Sequence, residues 1–169
     1  MASAEINFDL RELDGIAKLL EKAKLSSSDR MQLLGNIGEE VESQTQERFD
    51  DQKSPEGKTW QSLAQKTLDY YREHGKGGGR LLEQEGMLRS SIEIQVDDWS
   101  VLVGATMAYA AIHQYGGEIR PKARPSLYVP GYGMLKKVTI PARPYLGIST
   151  SNAERIMVVA QQFLAGRVS

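Results

Sequence analysis

"SIEIQVDDWSVLVGA", residues 91–105, alternates apolar and polar side chains in two short runs around an acidic break. Ile92, Ile94 and Val96 share one face of the first run; Trp99, Val101 and Val103 share one face of the second. A period of two marks a strand with one face in a core and one in water. Asp97-Asp98 supplies the turn-forming pair that reverses the chain. The stretch predicts a β-hairpin, and the rest of the chain has to cover its apolar face.

Upstream, "EINFDL" (5–10) alternates Ile6, Phe8 and Leu10 and predicts another short strand. "RELDGIAKLLEKAKL" (11–25) spaces Leu13, Ile16, Leu19 and Leu20 as a helix with one apolar face. "SSSD" (26–29) offers N-caps for a second helix carrying Met31, Leu34, Ile37, Val41 and Phe49. That helix is expected to run to near Arg48, about 20 residues and ~30 Å. "DDQKSPEGKTW" (50–60) is a polar turn whose acids, Asp50, Asp51 and Glu56, fail the spacing of a calcium loop. Trp60 is expected at the edge of the core. "SLAQKTLDYYREH" (62–74) reads as a shorter helix with His74 as a cation at its end. "GKGGGR" (75–80) lacks the spacing of a phosphate-binding loop and reads as a connector.

Downstream, "RLLEQEGMLRSS" (80–91) predicts a short helical turn broken at Gly86. "MAYAAIHQYGG" (107–117) predicts a helix with Ala108, Ala111 and Ile112 on a small-residue face, ended by Gly116 and Gly117. Residues 118–139 hold three prolines and two glycines, so they cannot form a compact helix. They read as a projecting loop or hairpin arm with "PGYG" (130–133) at its tip. "IPARPYLGIS" (140–149) is extended, because each proline disfavours helix in the residue before it. The last helix begins with a capping box of Ser151 and Glu154 and carries a stripe of Ile156, Val159, Ala160, Phe163 and Leu164. The expected fold class is α+β: a single domain over residues 1–169, with about four helices packed on one antiparallel sheet and an extended proline- and glycine-rich arm at 118–139.

The 169-residue chain has no cysteine, which excludes thiol catalysis, Cys-based zinc sites and disulfide staples. The N-terminus lacks the basic head and apolar run of a signal peptide, and no apolar stretch approaches the ~20 residues that span a bilayer. No membrane contact is expected. Residues 1–50 carry eleven acids against six bases. Residues 100–149 carry one acid, Glu118, against Arg120, Lys122, Arg124, Lys136, Lys137 and Arg143. Such asymmetry suits a solvated loop, complementary faces between copies, or contact with nucleic acid.

Catalytic machinery is not legible. There is no G-x-S-x-G elbow and no H-x-x-x-H pair; His74 and His113 stand 39 positions apart. No catalytic residue, metal ligand or cofactor is expected. His113 has three readings: a packed, hydrogen-bonded residue that pins the helix end, part of a subunit interface, or a catalytic or metal group. The first is preferred, and His113→Ala is expected to cost ~1–3 kcal/mol through orphaned partners.

Four stretches, in order, carry a resemblance: "SPEGKTWQSL", "LLEQEGMLRSSI", "VLVGATMAYAAIHQYGG" and "IPARPYLGIS". Together they resemble the phage virion morphogenesis family, the tail-completion proteins of contractile-tailed phages and related prophages. The matching positions are Leu88, Arg89, Ser91, Tyr109, Ala110, His113, Gln114, Gly116 and Gly117, then Pro141, Ala142, Arg143, Pro144, Leu146 and Gly147. Glu85 departs from the pattern, which has a small or hydroxyl residue before the glycine. The resemblance implies a non-enzymatic structural protein, made in the host cytoplasm and built into the virion at the head-proximal end of the tail. It implies a ring of identical subunits, expected to be a hexamer, meeting tail tube, sheath or head-tail connector proteins. The arm is then the expected interface, through Arg120, Lys122, Arg124, Leu127, Tyr128, Val129, Met134 and Leu135. Lys136 and Lys137 are candidates to line a DNA channel. The alternative is a nucleic-acid-binding module that uses the basic 120–143 stretch.

Overall fold

The computed structural model describes residues 4–9, 24–76, 80–83 and 85–167. The helix expected over 11–25 lies outside the described residues up to position 23, and Lys24 and Leu25 are not helical. The order of elements is β1 (Ala4–Asp9), α1 (Ser27–Asp51), α2 (Gln65–Glu73), α3 (Met87–Ser90), β2 (Ile92–Val96), β3 (Ser100–Ala105), α4 (Ala110–Tyr115), β4 (Gly117–Ile119), β5 (Leu127–Val129), β6 (Gly133–Leu135), β7 (Val138–Ile140) and α5 (Thr150–Ala165).

The hairpin forms as its alternation requires. β2 and β3 are antiparallel, with Ile92 opposite Ala105 and Val96 opposite Val101. Asp97 closes the turn: its Oδ1 accepts from the Trp99 and Ser100 amides at 2.8 and 2.7 Å. Those bonds hold Trp99 in the turn, so β3 begins at Ser100 and the expected Trp99 register position is corrected. The indole is half exposed, with the Arg30 guanidinium 4.1 Å above it. β1 pairs with the other edge of β3, giving the order β1-β3-β2 with Phe8 opposite Val101.

α1 covers this sheet. Ser26 caps it by accepting from the Asp29 amide, and Gln52 ends it in the left-handed conformation. Its buried stripe is Leu33, Leu34, Ile37, Val41 and Phe49. Met31, expected in that stripe, is 43% exposed; the helix packs on both the sheet and α5, and the wider stripe takes in Leu33 while Met31 faces out. α5 lies against α1 through Ile156 and Ala160, and Arg155 pairs with Glu40 and Glu47 across the seam. The capping box of α5 is also corrected. Ser149 is the cap and Asn152 its partner, because the Asn152 carboxamide reaches back to the Ser149 amide at 3.1 Å. Ser151 is left inside the first turn.

Phe49, Trp60 and Tyr145 join the end of α1 to later loops, with ring centroids 5.7 and 5.4 Å apart about Phe49. The described residues form a mixed α+β fold, but with three separate antiparallel sheets where one was expected, because the short strands after α4 pair among themselves and not with β1–β3. The segment after α4 is a two-storey hairpin. β4 and β7 form its base, with Gly117 opposite Ile140, and β5 and β6 form its tip, with Tyr128 opposite Met134.

Candidate functional site

The motif stretches converge on the junction between α4 and the extended 141–147 segment. α4 is six residues long, and its buried positions are Ala110 and Gln114, one turn apart. The small-residue face expected from Ala108, Ala111 and Ile112 is corrected: Ala108 precedes the helix and is exposed, and the other two are half-buried. A helix this short shows too little of its period for sequence spacing to fix which side faces inward.

Gln114 joins α4 to the extended segment by three side-chain hydrogen bonds. Its Oε1 accepts from the amides of Tyr145 and Leu146, both at 3.0 Å. Its Nε2 donates to the Leu146 carbonyl at 2.8 Å. Three backbone groups of a buried segment are satisfied by one side chain. Around it, the Arg143 amide donates to the His113 carbonyl at 2.7 Å, and the Tyr145 hydroxyl donates to the Ala110 carbonyl at 3.2 Å. Burial, with Tyr115 adding to it, pushes the Tyr145 phenol well above its ordinary range. Trp60 Nε1 donates to the Pro144 carbonyl and Arg143 Nε to the Gln61 carbonyl, each at 2.9 Å. Arg48 donates to the Tyr145 carbonyl and to Asn152, and burial lowers its pKa to about 10. Gly116 turns at φ 70°, and a Cβ there would stand 2.7 Å from the Ala142 nitrogen. Only glycine lets α4 end against this segment. Gly117 then opens β4, Pro141 and Pro144 are half-buried, and Gly147 lies against Pro55.

His113 differs from the expectation. Its ring stands edge-on to Tyr109 at 5.8 Å, and its Nδ1 is buried with no partner among the described residues. The hydrogen-bonded pin is the Gln114 side chain; His113 contributes through its carbonyl. Burial, and then the nearby Arg143 charge, lower the His113 pKa. The folded chain therefore holds that proton less tightly than the unfolded chain does. Stability present at neutral pH is lost as pH falls below the ordinary imidazole value of ~6.5 and on through the folded-state value. His113→Phe should flatten that part of the acid limb, read as urea midpoints across the window. An unchanged acid limb in the variant would overturn this account.

The other motif positions are architectural. Leu88 is buried at 2% exposure, and the Ser91 hydroxyl donates to its carbonyl. Arg89 holds α3 to α1 through Asp50 at 2.9 and 3.0 Å and through Gln46 at 2.6 Å. Gly86 precedes α3 in the left-handed conformation, so the turn forms with Glu85 before it. Sequence reasoning also missed Gln52, which ends α1 and brackets both backbone groups of Leu81. Its local signal was weak, since a left-handed cap is usually glycine or asparagine.

On the arm, Glu118 accepts from Arg120 and Lys137, each at 2.6 Å, and these contacts, Lys137 first, hold its carboxyl below the usual range. Lys137, proposed for a DNA channel, is thus tied to the base of the hairpin. Lys122, Arg124 and Lys136 are exposed, with no acidic partner among the described residues. Tyr128 and Met134, directly opposed, are 71% and 63% exposed, whereas Leu127, Val129 and Leu135 on the other face are half-buried. The tip rests on α2: Tyr132 shares a hydrogen bond with Thr67 at 3.1 Å, Lys66 lies over its ring, and Gly131 leaves room for the Tyr70 side chain. Among the described residues there is no metal-binding cluster of His, Asp or Glu, and no helix is long and apolar enough to cross a membrane.

The model of the phage virion morphogenesis family matches residues 11–165. The chain is similar to the putative capsid assembly protein G of Escherichia phage Mu, with 31% identity over 115 residues, 68% of this chain and 66% of that protein. It is also similar to the Mu-like prophage FluMu G protein 2 of Haemophilus influenzae, with 25% identity over 158 residues, 94% of this chain and 95% of that protein. No solved structure matches it.

Proposed function

The chain belongs to the phage virion morphogenesis family, and from that premise we propose that it completes the tail at its head-proximal end as a homo-oligomeric ring. The carrying observation is the arm's outward apolar pair, Tyr128 and Met134. Two large side chains held out side by side on one face of a ladder support a surface that another protein covers. A head-to-tail contact uses two different surfaces and closes by rotation, and the outward face of a hairpin braced on α2 supplies one of them. The name of the Mu relative, a putative capsid assembly protein, supports a role in particle assembly, and the resemblance to tail-completion proteins supports the choice of the tail's head-proximal end.

Contact with DNA in the lumen of such a ring is a second part of the reading, favoured by Lys122, Arg124 and Lys136, which are exposed with no acidic partner among the described residues. Two measurements test the proposal. Particle size at rising concentration, followed by imaging with tail tubes, should show a closed ring in the intact chain and none after deletion of 124–137. DNA binding should weaken steeply with salt if phosphates are touched. A chain that completes tails without residues 124–137 would overturn the ring interface; absence of DNA binding at low salt would remove the lumen contact alone.

A further inference from the structure

A cleft of about 400 Å³ opens beside the motif cluster, lined by residues that are not on the arm. Leu63 and Met87 belong to its apolar lining, and its polar lining is Arg143, His113, Glu85 and Arg80, the last already paired with Asp50 and Glu83. Arg143 is 5% exposed. Its Nε donates to the Gln61 carbonyl, but neither terminal nitrogen meets an acceptor among the described residues, and no described carboxylate pairs with it. His113, in the same wall, has its Nδ1 buried and unpartnered.

A buried guanidinium without an anion is expensive to keep, because its desolvation is not offset. The fold uses Nε, leaves the terminal nitrogens without an acceptor among the described residues, and sets Arg143 in the lining of the recess. That fork matches a carboxylate, which can accept two parallel hydrogen bonds from it. The size and apolar lining suit one or two side chains of a peptide.

We infer that the cleft is a docking site for an acidic peptide segment of a partner protein: an aspartate or glutamate carboxylate set on Arg143, with a neighbouring apolar side chain against Leu63 and Met87. Charge sets the class of occupant, and it rejects the arm of a second copy. That arm would bring its excess of bases toward Arg143, since residues 100–149 hold six bases and one acid. Self-association that falls with Met87→Glu would assign the cleft to the acidic residues 1–50 of a second copy and overturn the partner-protein reading. The hydrated, charged backbone of nucleic acid suits the leucine and methionine walls poorly. The site shares no residue with the Tyr128–Met134 face, so it stands or falls separately from the ring.

The test uses the full chain and a blocked leucine-glutamate-leucine tripeptide, followed by NMR of the Met87 methyl and His113 ring signals. Saturable shifts are expected, at least about tenfold weaker for the same peptide with glutamine in place of glutamate. Met87→Glu changes an exposed side chain of the cleft lining and should abolish the shift of the His113 ring while the fold is retained. Equal binding of the two peptides, no saturable shift, binding that survives Met87→Glu, or tighter binding of inorganic phosphate or a short DNA duplex would each overturn the assignment.

Discussion

Replacing Gln114 with leucine should lower folding stability by about 3–5 kcal/mol, read as a shift of the urea midpoint at unchanged slope. The substitution keeps much of the side chain's bulk, so little of the loss comes from a cavity. It comes from three backbone groups, the amides of Tyr145 and Leu146 and the Leu146 carbonyl, which lose their partner in a buried segment. Each such orphan costs about 1–3 kcal/mol. Tyr145→Phe is the matched comparison, because it removes only the bond to the Ala110 carbonyl and should cost about 1 kcal/mol. A Gln114→Leu chain as stable as the Tyr145→Phe chain would mean that the α4 junction is not held by this side chain.

The second large effect is on assembly, not on stability. Tyr128→Ser with Met134→Ser should leave the helical signal and unfolding midpoint near those of the parent, because both side chains face outward. The same double variant should fail to support particle formation when it is the sole copy supplied to a phage or prophage lacking the gene. Paired, well-ordered apolar residues at the centre of a contact carry most of its energy, so losing both removes more than their share of area. Leu127→Ser would be a poor substitute: that side chain is half-buried on the opposite face, and its loss mixes folding with docking. Normal particle yield from the double variant would place the subunit contact elsewhere.

The hairpin of β2 and β3 was legible because alternation over five or six residues leaves little room for another reading. So was α1, whose cap at Ser26 and apolar spacing agree over seven turns' worth of chain. The capping box of α5 slipped by two positions because two serines compete and an asparagine side chain, not a glutamate, made the return bond. The strands of the arm were not separable in sequence. Each has three residues, too few for a period, and their pairing is set by turns and by the Glu118 ion contacts. His113 and Gln114 are adjacent and both polar, so no local pattern tells which one turns inward. That depends on how a six-residue helix meets a segment some thirty positions away, a tertiary fact. The unpaired fork of Arg143 is likewise visible only once its surroundings are in place.

The bond between Tyr132 and Thr67 has a mechanical consequence. A finger fixed only at its knuckle would swing under load, and a pull on its far end would be spent in bending. Here the far end is moored to a separate helix, so root, tip and α2 make a triangle. Tension on Tyr128 or Met134 reaches the body by two routes at once, and Thr67→Val, which leaves only the Lys66 and Tyr70 contacts to hold the tip, would soften the strut without changing a single outward-facing atom.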